Sequence, residues 1–267
     1  MTRKIALITG ASRGLGKSAA LHLAAQGVDI IGTYNSAADE AQAVLAQVEA
    51  LGGKAAMLQL DVSQSSTFEA FTAQVGSVLK DVFGQAHFNF LINNAGIGAH
   101  ASFADTTEAQ FDQLVAIHFK GPFFLTQKLL PLISDGGRII NISSGLARFS
   151  LPGYSAYASM KGAVEVLTRY QAKELGARGI TVNTLAPGAI ATDFSGGVVR
   201  DNPDVNAMVA NNTALGRAGL PDDIGGAIST LLGRRQQLDH RATGRGLGRD
   251  VSVTLSDSPL ASMLSDT

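Results

Sequence analysis

The sequence predicts a single α/β domain on a doubly wound parallel sheet. Three observations lead there. Short apolar or β-branched runs alternate with longer segments of helical period, the pattern of βαβ units. Each run is almost continuously apolar, as strands covered on both faces must be. The first run also breaks into a glycine-rich turn, Thr9-Gly10-Ala11-Ser12-Arg13-Gly14-Leu15-Gly16, directly before a helical segment. With 267 residues, 45% of them hydrophobic and 16% charged, the chain can fill one core of this size.

The strands are expected at 4–9, 28–34, 55–60, 88–92, 137–143 and 180–185, and the helices between them at 14–26, 38–51, 65–80, 107–131, 155–177 and 221–232. Gly27, Gly52-Gly53 and Gly179 follow the first, second and fifth helices, where a left-handed C-cap needs a residue without a Cβ. Right-handed crossovers should join neighbouring strands. The stretch 187–220 is rich in Gly, Asn and Pro and reads as a mobile loop or lid. No Pro/Ser-rich linker or repeat interrupts the pattern, so 1–233 is expected to be one domain.

Composition removes several classes of function. Lys+Arg 21 against Asp+Glu 22 leaves a net charge of -1, without bulk attraction to nucleic acid or anionic membranes. The absence of cysteine excludes disulfides, thiolate-held zinc, iron–sulfur clusters and a thiolate nucleophile, and five scattered histidines give no metal site. The leading run Ile5-Ala6-Leu7-Ile8 stops at Thr9-Gly10, too short for a signal-peptide core or a membrane span. A cytoplasmic location follows, with no membrane or nucleic-acid partner.

The glycine-rich turn lets backbone approach a ligand, and the helix behind it presents unpaired N–H groups to an anion. A dinucleotide pyrophosphate fits this. So does a nucleoside triphosphate, because Ala11, four residues, then Gly16-Lys17-Ser18 satisfies a relaxed P-loop pattern. That rival needs an aspartate at a strand end for magnesium, yet Phe88-Asn89-Phe90-Leu91-Ile92 runs into Asn93-Asn94-Ala95-Gly96. The balance favours the dinucleotide. The second strand ends in Tyr34-Asn35-Ser36 with no acid to bind a ribose 2′-hydroxyl, while Arg13 offers a fork of donors for a 2′-phosphate. NADP(H) is therefore expected over NAD(H); otherwise Arg13 is a solvated surface charge.

Tyr157 and Lys161 are spaced i,i+4 on a helical segment, which places phenol and ammonium on one face. A nearby cation lowers a phenol's pKa and suits it to give a proton to a carbonyl. Ser143-Ser144 follows the strand run Ile139-Ile140-Asn141-Ile142, at the edge where ligands of such sheets bind. A hydroxyl there can hold a carbonyl oxygen, or cap a turn.

Taken together, the Thr9-to-Gly16 loop, Asp61-Val62, Asn93-Asn94-Ala95-Gly96, Ser144, Tyr157 with Lys161, and Pro187-Gly188 followed by Ile190 and Thr192 resemble the short-chain dehydrogenase/reductase family, from about residue 4 to about residue 232. The overall text is similar to the 3-oxoacyl-carrier-protein reductase type. The resemblance implies a Rossmann-like fold and hydride transfer between a nicotinamide and a small-molecule carbonyl or alcohol. It implies Tyr157 as general acid/base, Ser144 as the carbonyl holder, and Lys161 as the group that tunes Tyr157 and binds the nicotinamide ribose. It further implies cofactor contacts from Gly10, Ser12, Arg13, Gly14, Leu15 and Gly16; from Tyr34, Asn35, Ser36, Asp61 and Val62; from Asn93, Ala95 and Gly96; and from Pro187, Gly188, Ile190 and Thr192. A homo-oligomer, tetramer or dimer, comes with it.

Two departures stand out. His118 occupies a position where the family usually has an Asn that helps hold a water in a proton relay to the active-site Lys. Imidazole can donate and accept, so His118 either keeps the relay, with its titration adding pH dependence, or is a packed helix residue. After Leu231-Leu232 the family expects an apolar strand and a Gly-Gly turn, whereas this chain continues Gly233-Arg234-Arg235-Gln236-Gln237-Leu238 and stays rich in Arg and Gly. The tail can be written in codons that, shifted by one base, read GEDNSWITGQRVEVSGGM, a string similar to the family's ending. Residues 234–267 are therefore expected to be a frameshifted tail, with the last strand missing or replaced. Val251-Ser252-Val253-Thr254-Leu255 alternates and offers an edge strand in its place. If the altered tail disables the site, the alternative is a dinucleotide-binding protein with little turnover.

Overall fold

The computed structural model describes residues 2–233 and 250–251. Its order is β1 (Ile5–Ile8), α1 (Gly14–Ala25), β2 (Asp29–Tyr34), α2 (Ala38–Ala50), β3 (Ala55–Gln59), α3 (Phe68–Val78), β4 (Phe88–Asn93), α4 (Glu108–Val115), α5 (Gly121–Leu129), β5 (Ile133–Ile142), α6 (Ser155–Leu175), β6 (Thr181–Leu185), α7 (Val198–Asp201), α8 (Pro203–Asn211), α9 (Pro221–Leu232) and β7 (Asp250–Val251). The strands pair in parallel in the order β3-β2-β1-β4-β5-β6-β7. The doubly wound expectation holds.

Alternation along each strand divides the core between the sheet's two faces. Ala6, Ile8, Ile30, Ile92 and Ile140 pack against α1, α2 and α9 through Ala20, Leu23, Val44, Ile224 and Ile228. Ile5, Leu7, Ile31, Leu91 and Ile139 pack against α3 and α5 through Phe68, Phe71, Val75, Leu125 and Leu129. The helices α1 and α9 come very close, since a Cβ on Gly225 would overlap Ser18 Oγ and lie 2.6 Å from His22 Cδ2.

Chain order reverses between β1 and β4: after β1 the chain runs outward to β2 and β3, then returns to β4 on the other side. The two crossovers part beyond the strands' carboxyl ends and leave a crevice there. This reversal positions the site.

Three expectations need correction. The helix expected over 107–131 is α4 and α5 joined by a π turn at Ala116–Lys120, with Pro122 near the start of α5. Proline carries no N–H for a continuous ladder, and Gly121 lies against backbone, where a Cβ would be 2.6 Å from Val62 O. Strand β5 begins at Ile133 rather than 137, with a register shift opposite Phe88 and Phe90. Ser134-Asp135-Gly136-Gly137 carries no apolar signal, so the bulged half of the strand was silent. The stretch 187–220 is not one long loop, because it contains α7 and α8. The expected replacement of the last strand takes the form of β7, two residues that pair Asp250 with Thr184 and Val251 with Leu185. The proposed frameshift over 234–267 otherwise lies outside the described residues.

Buried polar groups tie layers together. Asn93 Nδ2 donates to Thr126 Oγ1 at 3.0 Å and Asn141 Oδ1 at 2.8 Å, and Asn141 Nδ2 donates to Thr168 Oγ1 at 2.8 Å and Gln171 Oε1 at 2.9 Å. Arg138, buried in β5, donates through Nη1 to the carbonyls of Leu231, at 3.1 Å, and Gly233. It thus satisfies carbonyls left over at the end of α9.

Candidate active site

The glycine-rich turn is held open by its neighbours. Thr9 Oγ1 accepts from the N–H groups of Asn94 and Ala95, each at 2.9 Å, and Asn94 Nδ2 donates to Thr9 O at 2.9 Å and Gly10 O at 3.1 Å. Gly10 N–H donates to Thr33 Oγ1 at 3.2 Å. Gly10 adopts φ +66°, and any Cβ on Gly16 would overlap Gly10 O. At the start of α1, Arg13 makes no side-chain cap and the first turn contains no acid. Its N–H groups therefore remain available to an anion. Ser12 is buried, Leu15 packs against the α1 side of the core, and Arg13 reaches outward with 67% of its side chain exposed.

Ser18 gives the nucleoside triphosphate no support. In a P-loop its hydroxyl would face magnesium, but here it donates to Asp222 Oδ1 of α9 at 2.9 Å. Among the described residues no group of His, Asp and Glu is placed to hold a metal ion.

At the end of β2, Tyr34 is half-buried, while Asn35 and Ser36 are exposed, and no carboxylate follows them before Ala38. Asp61 accepts from Ser63 N at 2.9 Å and Ser63 Oγ at 2.7 Å, which fixes the turn carrying Val62. Ala95 and Gly96 line the crevice opposite the turn: a Cβ on Gly10 would lie 3.0 Å from Ala95 Cα. Asn93 turns its amide nitrogen into the sheet toward Thr126 and Asn141, while its Oδ1 has no partner among the described residues. Its neighbour Asn94 braces the phosphate turn instead. Sequence reasoning left Asn94 and Thr9 out of the candidate residues; the signal was the pair of asparagines after a strand, of which alternation turns only one toward the turn.

The second cluster lies beyond β5. Ser144 follows the strand in extended conformation and accepts from Leu146 N at 3.2 Å. It also stands near enough to the Tyr157 phenol to pull the phenol's pKa down. Its neighbour Ser143 is occupied, its hydroxyl donating to Glu165 Oε1 at 2.9 Å with Lys161 O the alternative acceptor at 3.2 Å. Tyr157 lies in the first turn of α6 and Lys161 one turn later, both buried; Lys161 Nζ donates to Ile142 O at 2.9 Å and stands 5.5 Å from the Tyr157 ring centre.

Burial outweighs the neighbouring cation. The Tyr157 phenol is pushed up to about 12 by desolvation, with the nearby Ser144 pulling the other way and Tyr154 adding to the rise. This corrects the expected lowering: at 8% exposure the phenolate loses more hydration than it regains. Burial also pulls the Lys161 ammonium down to about 8.

His118 belongs to the π turn and is 1% exposed. Its Nε2 lies 2.8 Å from Ile97 O and 3.3 Å from Ile97 N, so it serves one of them at a time. Its Nδ1 has no partner among the described residues. The ring packs edge-on to Tyr157, with centres 5.1 Å apart. Desolvation, then Lys161, hold its pKa down to about 3 against the bond to Ile97. The expected contribution of His118 titration to pH dependence near neutrality is thereby overturned, since the ring stays neutral.

The far side of the crevice is built from the segment after β6. Pro187 O accepts from Gly145 N at 2.9 Å, which ties this segment to the Ser144 turn. Gly188 is half-buried, Ile190 bridges to Gly219, and Thr192 Oγ1 accepts from Phe194 N at 3.2 Å. Beside Tyr157 a small recess, about 10 Å³ and so little more than a water deep, is lined by Ala99, Ala101, Thr106, Leu114, Gly153 and Ala156.

A doubly wound sheet with an anion cradle at its reversal and a Ser–Tyr–Lys cluster at the same edge defines a dinucleotide-dependent oxidoreductase class. A family model described as Enoyl-(Acyl carrier protein) reductase matches residues 10–240. Nodulation protein G of Azospirillum brasilense is 36% identical over 233 residues, covering 86% of this chain and 91% of that protein. Tetrahydroxynaphthalene reductase PfmaG of Pestalotiopsis fici is 35% identical over 240 residues, covering 86% and 84%. Among solved structures, the reductase LugOII of lugdunomycin biosynthesis superposes with TM-score 0.86 at 34% identity over 94% of this chain and 97% of its own. The angucycline C-6 ketoreductase LanV with bound NADP gives 0.85 at 31% over 93% and 94%. The chain belongs to the short-chain dehydrogenase/reductase family, in its single-domain form. No helix among the described residues is long and apolar enough to cross a membrane.

Proposed function

We propose that the protein is a cytoplasmic NADPH-dependent reductase of small-molecule ketones, with Tyr157 as general acid. The observation that carries the reading is the convergence of Ser144, Tyr157 and Lys161 on the crevice that the Gly10–Gly16 turn also borders. The residues present fit NADP(H): the turn leaves no room for a Cβ at Gly16, the first turn of α1 contains no acid of its own, and Arg13 stands at the start of α1 with its side chain largely exposed. Reduced nicotinamide supplies a hydride when bound. Ser144 Oγ holds the substrate oxygen, and Tyr157 Oη delivers the proton that converts the developing alkoxide into an alcohol. Lys161 keeps a buried positive charge beside the phenol and the ribose. Ketoreductases of polycyclic aromatic substrates among the structural relatives recommend fused-ring ketones for the first substrate panel.

Titration with NADPH and NADH, read by cofactor fluorescence, tests the cofactor. Tighter binding of NADPH is expected, and Arg13→Ala should weaken it about tenfold while sparing NADH, as loss of a charge-assisted contact to phosphate would. Equal loss for both cofactors would remove Arg13 from the 2′-phosphate.

The reading extends to assembly and to the tail. Phe111, Phe123, Phe124, Val166 and Tyr170 are exposed on α4, α5 and α6. Such an apolar face suits contact with a second copy of the chain, as a dimer or tetramer. Phe124→Glu is expected to shift the light-scattering mass toward the monomer with the melting curve still cooperative; an unchanged mass would place the contact elsewhere. We take residues 1–233 as the functional unit and 234–267 as frameshifted, which the nucleotide sequence checks directly: codons whose shifted frame lacks the family-like ending would refute it.

A further inference from the structure

We infer that Asp193 sets cofactor selectivity: it competes with the 2′-phosphate of NADP(H) for the Arg13 guanidinium and, until displaced, straps residues 192–197 across the crevice. This rests on the NADP(H) reading above. Asp193 Oδ2 lies 2.9 Å from Arg13 Nε. The same carboxylate hangs over the phosphate turn, since a Cβ on Gly14 would be 3.7 Å from Asp193 Oδ1.

The residues that follow close the opposite side. A Cβ on Gly98 would overlap Ser195 Oγ and lie 3.1 Å from the Phe194 ring, and that ring stands 6.3 Å from the Tyr157 ring. Ser195 takes φ +54°, followed by Gly196 at +72° and Gly197 at +78°. A left-handed serine is uncommon and turns the chain back sharply. Asp193 and its two successors thus reach from the phosphate turn to the wall of the catalytic recess.

A guanidinium can hold two anions, but a phosphate of nearly two negative charges brought to its Nη edge would face the Asp193 carboxylate across a few ångströms. The 2′-hydroxyl of NADH brings no such charge and leaves the ion pair intact. The two cofactors therefore meet different strap states. Because Arg13 is 67% exposed and Asp193 32% exposed, solvent screens the contest to a few-fold effect.

The experiment is a fluorescence titration of wild-type and Asp193→Asn protein with NADPH and NADH, joined to hydrogen exchange of the peptide covering 192–201. Asp193→Asn is expected to bind NADPH about three- to fivefold tighter with NADH unchanged, and the gain should shrink in high salt. In wild-type protein NADPH, but not NADH, should speed exchange in the strap. Unchanged or weaker NADPH binding in Asp193→Asn, or equal exchange with both cofactors, would overturn competition while leaving the NADP(H) reading standing. Wild-type protein that binds NADH alone would overturn both.

Discussion

Tyr157→Phe is expected to lower ketone turnover by about a thousandfold while NADPH still binds, the scale of losing a positioned proton donor. The substitution removes one atom from a ring that keeps its packing: His118 edge-on at 5.1 Å, Phe194 at 6.3 Å and Lys161 at 5.5 Å from the ring centre. The hydroxyl lies near Ser144, whose Oγ accepts from Leu146 N. Folding should therefore survive, and cofactor titration and thermal melting of the variant provide the controls. The neighbouring imidazole is no acid that could replace the hydroxyl's proton. His118, held down to about 3, is neutral at working pH, and Lys161, held down to about 8, is already bonded to Ile142 O. A residual rate above about a tenth of wild type would remove Tyr157 from the proton transfer.

The same assignment fixes a pH profile. With the phenol pushed up to about 12, Tyr157 stays protonated across the working range and adds no limb to ketone reduction. Lys161 loses its charge as pH rises through about 8. Reduction should accordingly hold steady below about 8 and decline above it, and rate measurements from pH 6 to 10 at saturating NADPH would show a limb there or refute the role given to the ammonium.

Some of this was legible because it depends on local pattern. Ile5–Ile8, Phe88–Asn93 and Thr181–Leu185 announce themselves as buried parallel strands, and Gly27, Gly52 and Gly179 do take left-handed conformations where caps were expected. The spacing of Tyr157 and Lys161 on α6 was equally plain. Other features depend on where a distant backbone runs. The π turn at Ala116–Lys120 answers to the approach of Gly121 to Val62, which periodicity does not carry. That Glu165 reaches Ser143, and that Thr126 and Asn141 take the Asn93 amide nitrogen while Asn94 turns to the glycine-rich turn, depends on distant elements. The net pKa of Tyr157 required the depth of burial, whereas spacing reveals only the neighbouring charge.

His118→Asn should flatten the acid limb of stability. The imidazole titrates near 6.5 when unfolded and near 3 in the native protein. Between those values the unfolded chain binds the additional proton, so stability falls as pH drops from about 6.5 to about 3 and is unaffected by this group above 6.5. At about 1.4 kcal/mol per pH unit the interval amounts to on the order of 5 kcal/mol, an upper figure because the native protein can open locally around the ring. That is a large share of the roughly 5–15 kcal/mol available to a domain. Asparagine does not titrate, and its amide offers one acceptor for Ile97 N–H and one donor for Ile97 C=O, the two groups between which Nε2 must choose. Denaturant unfolding of both proteins at pH 4.5 and 7 makes the comparison. The variant should lose clearly less stability on acidification, with its other histidines unchanged as an internal reference. Equal losses would mean that His118 is solvated when the native protein meets acid, contrary to its burial at 1% exposure.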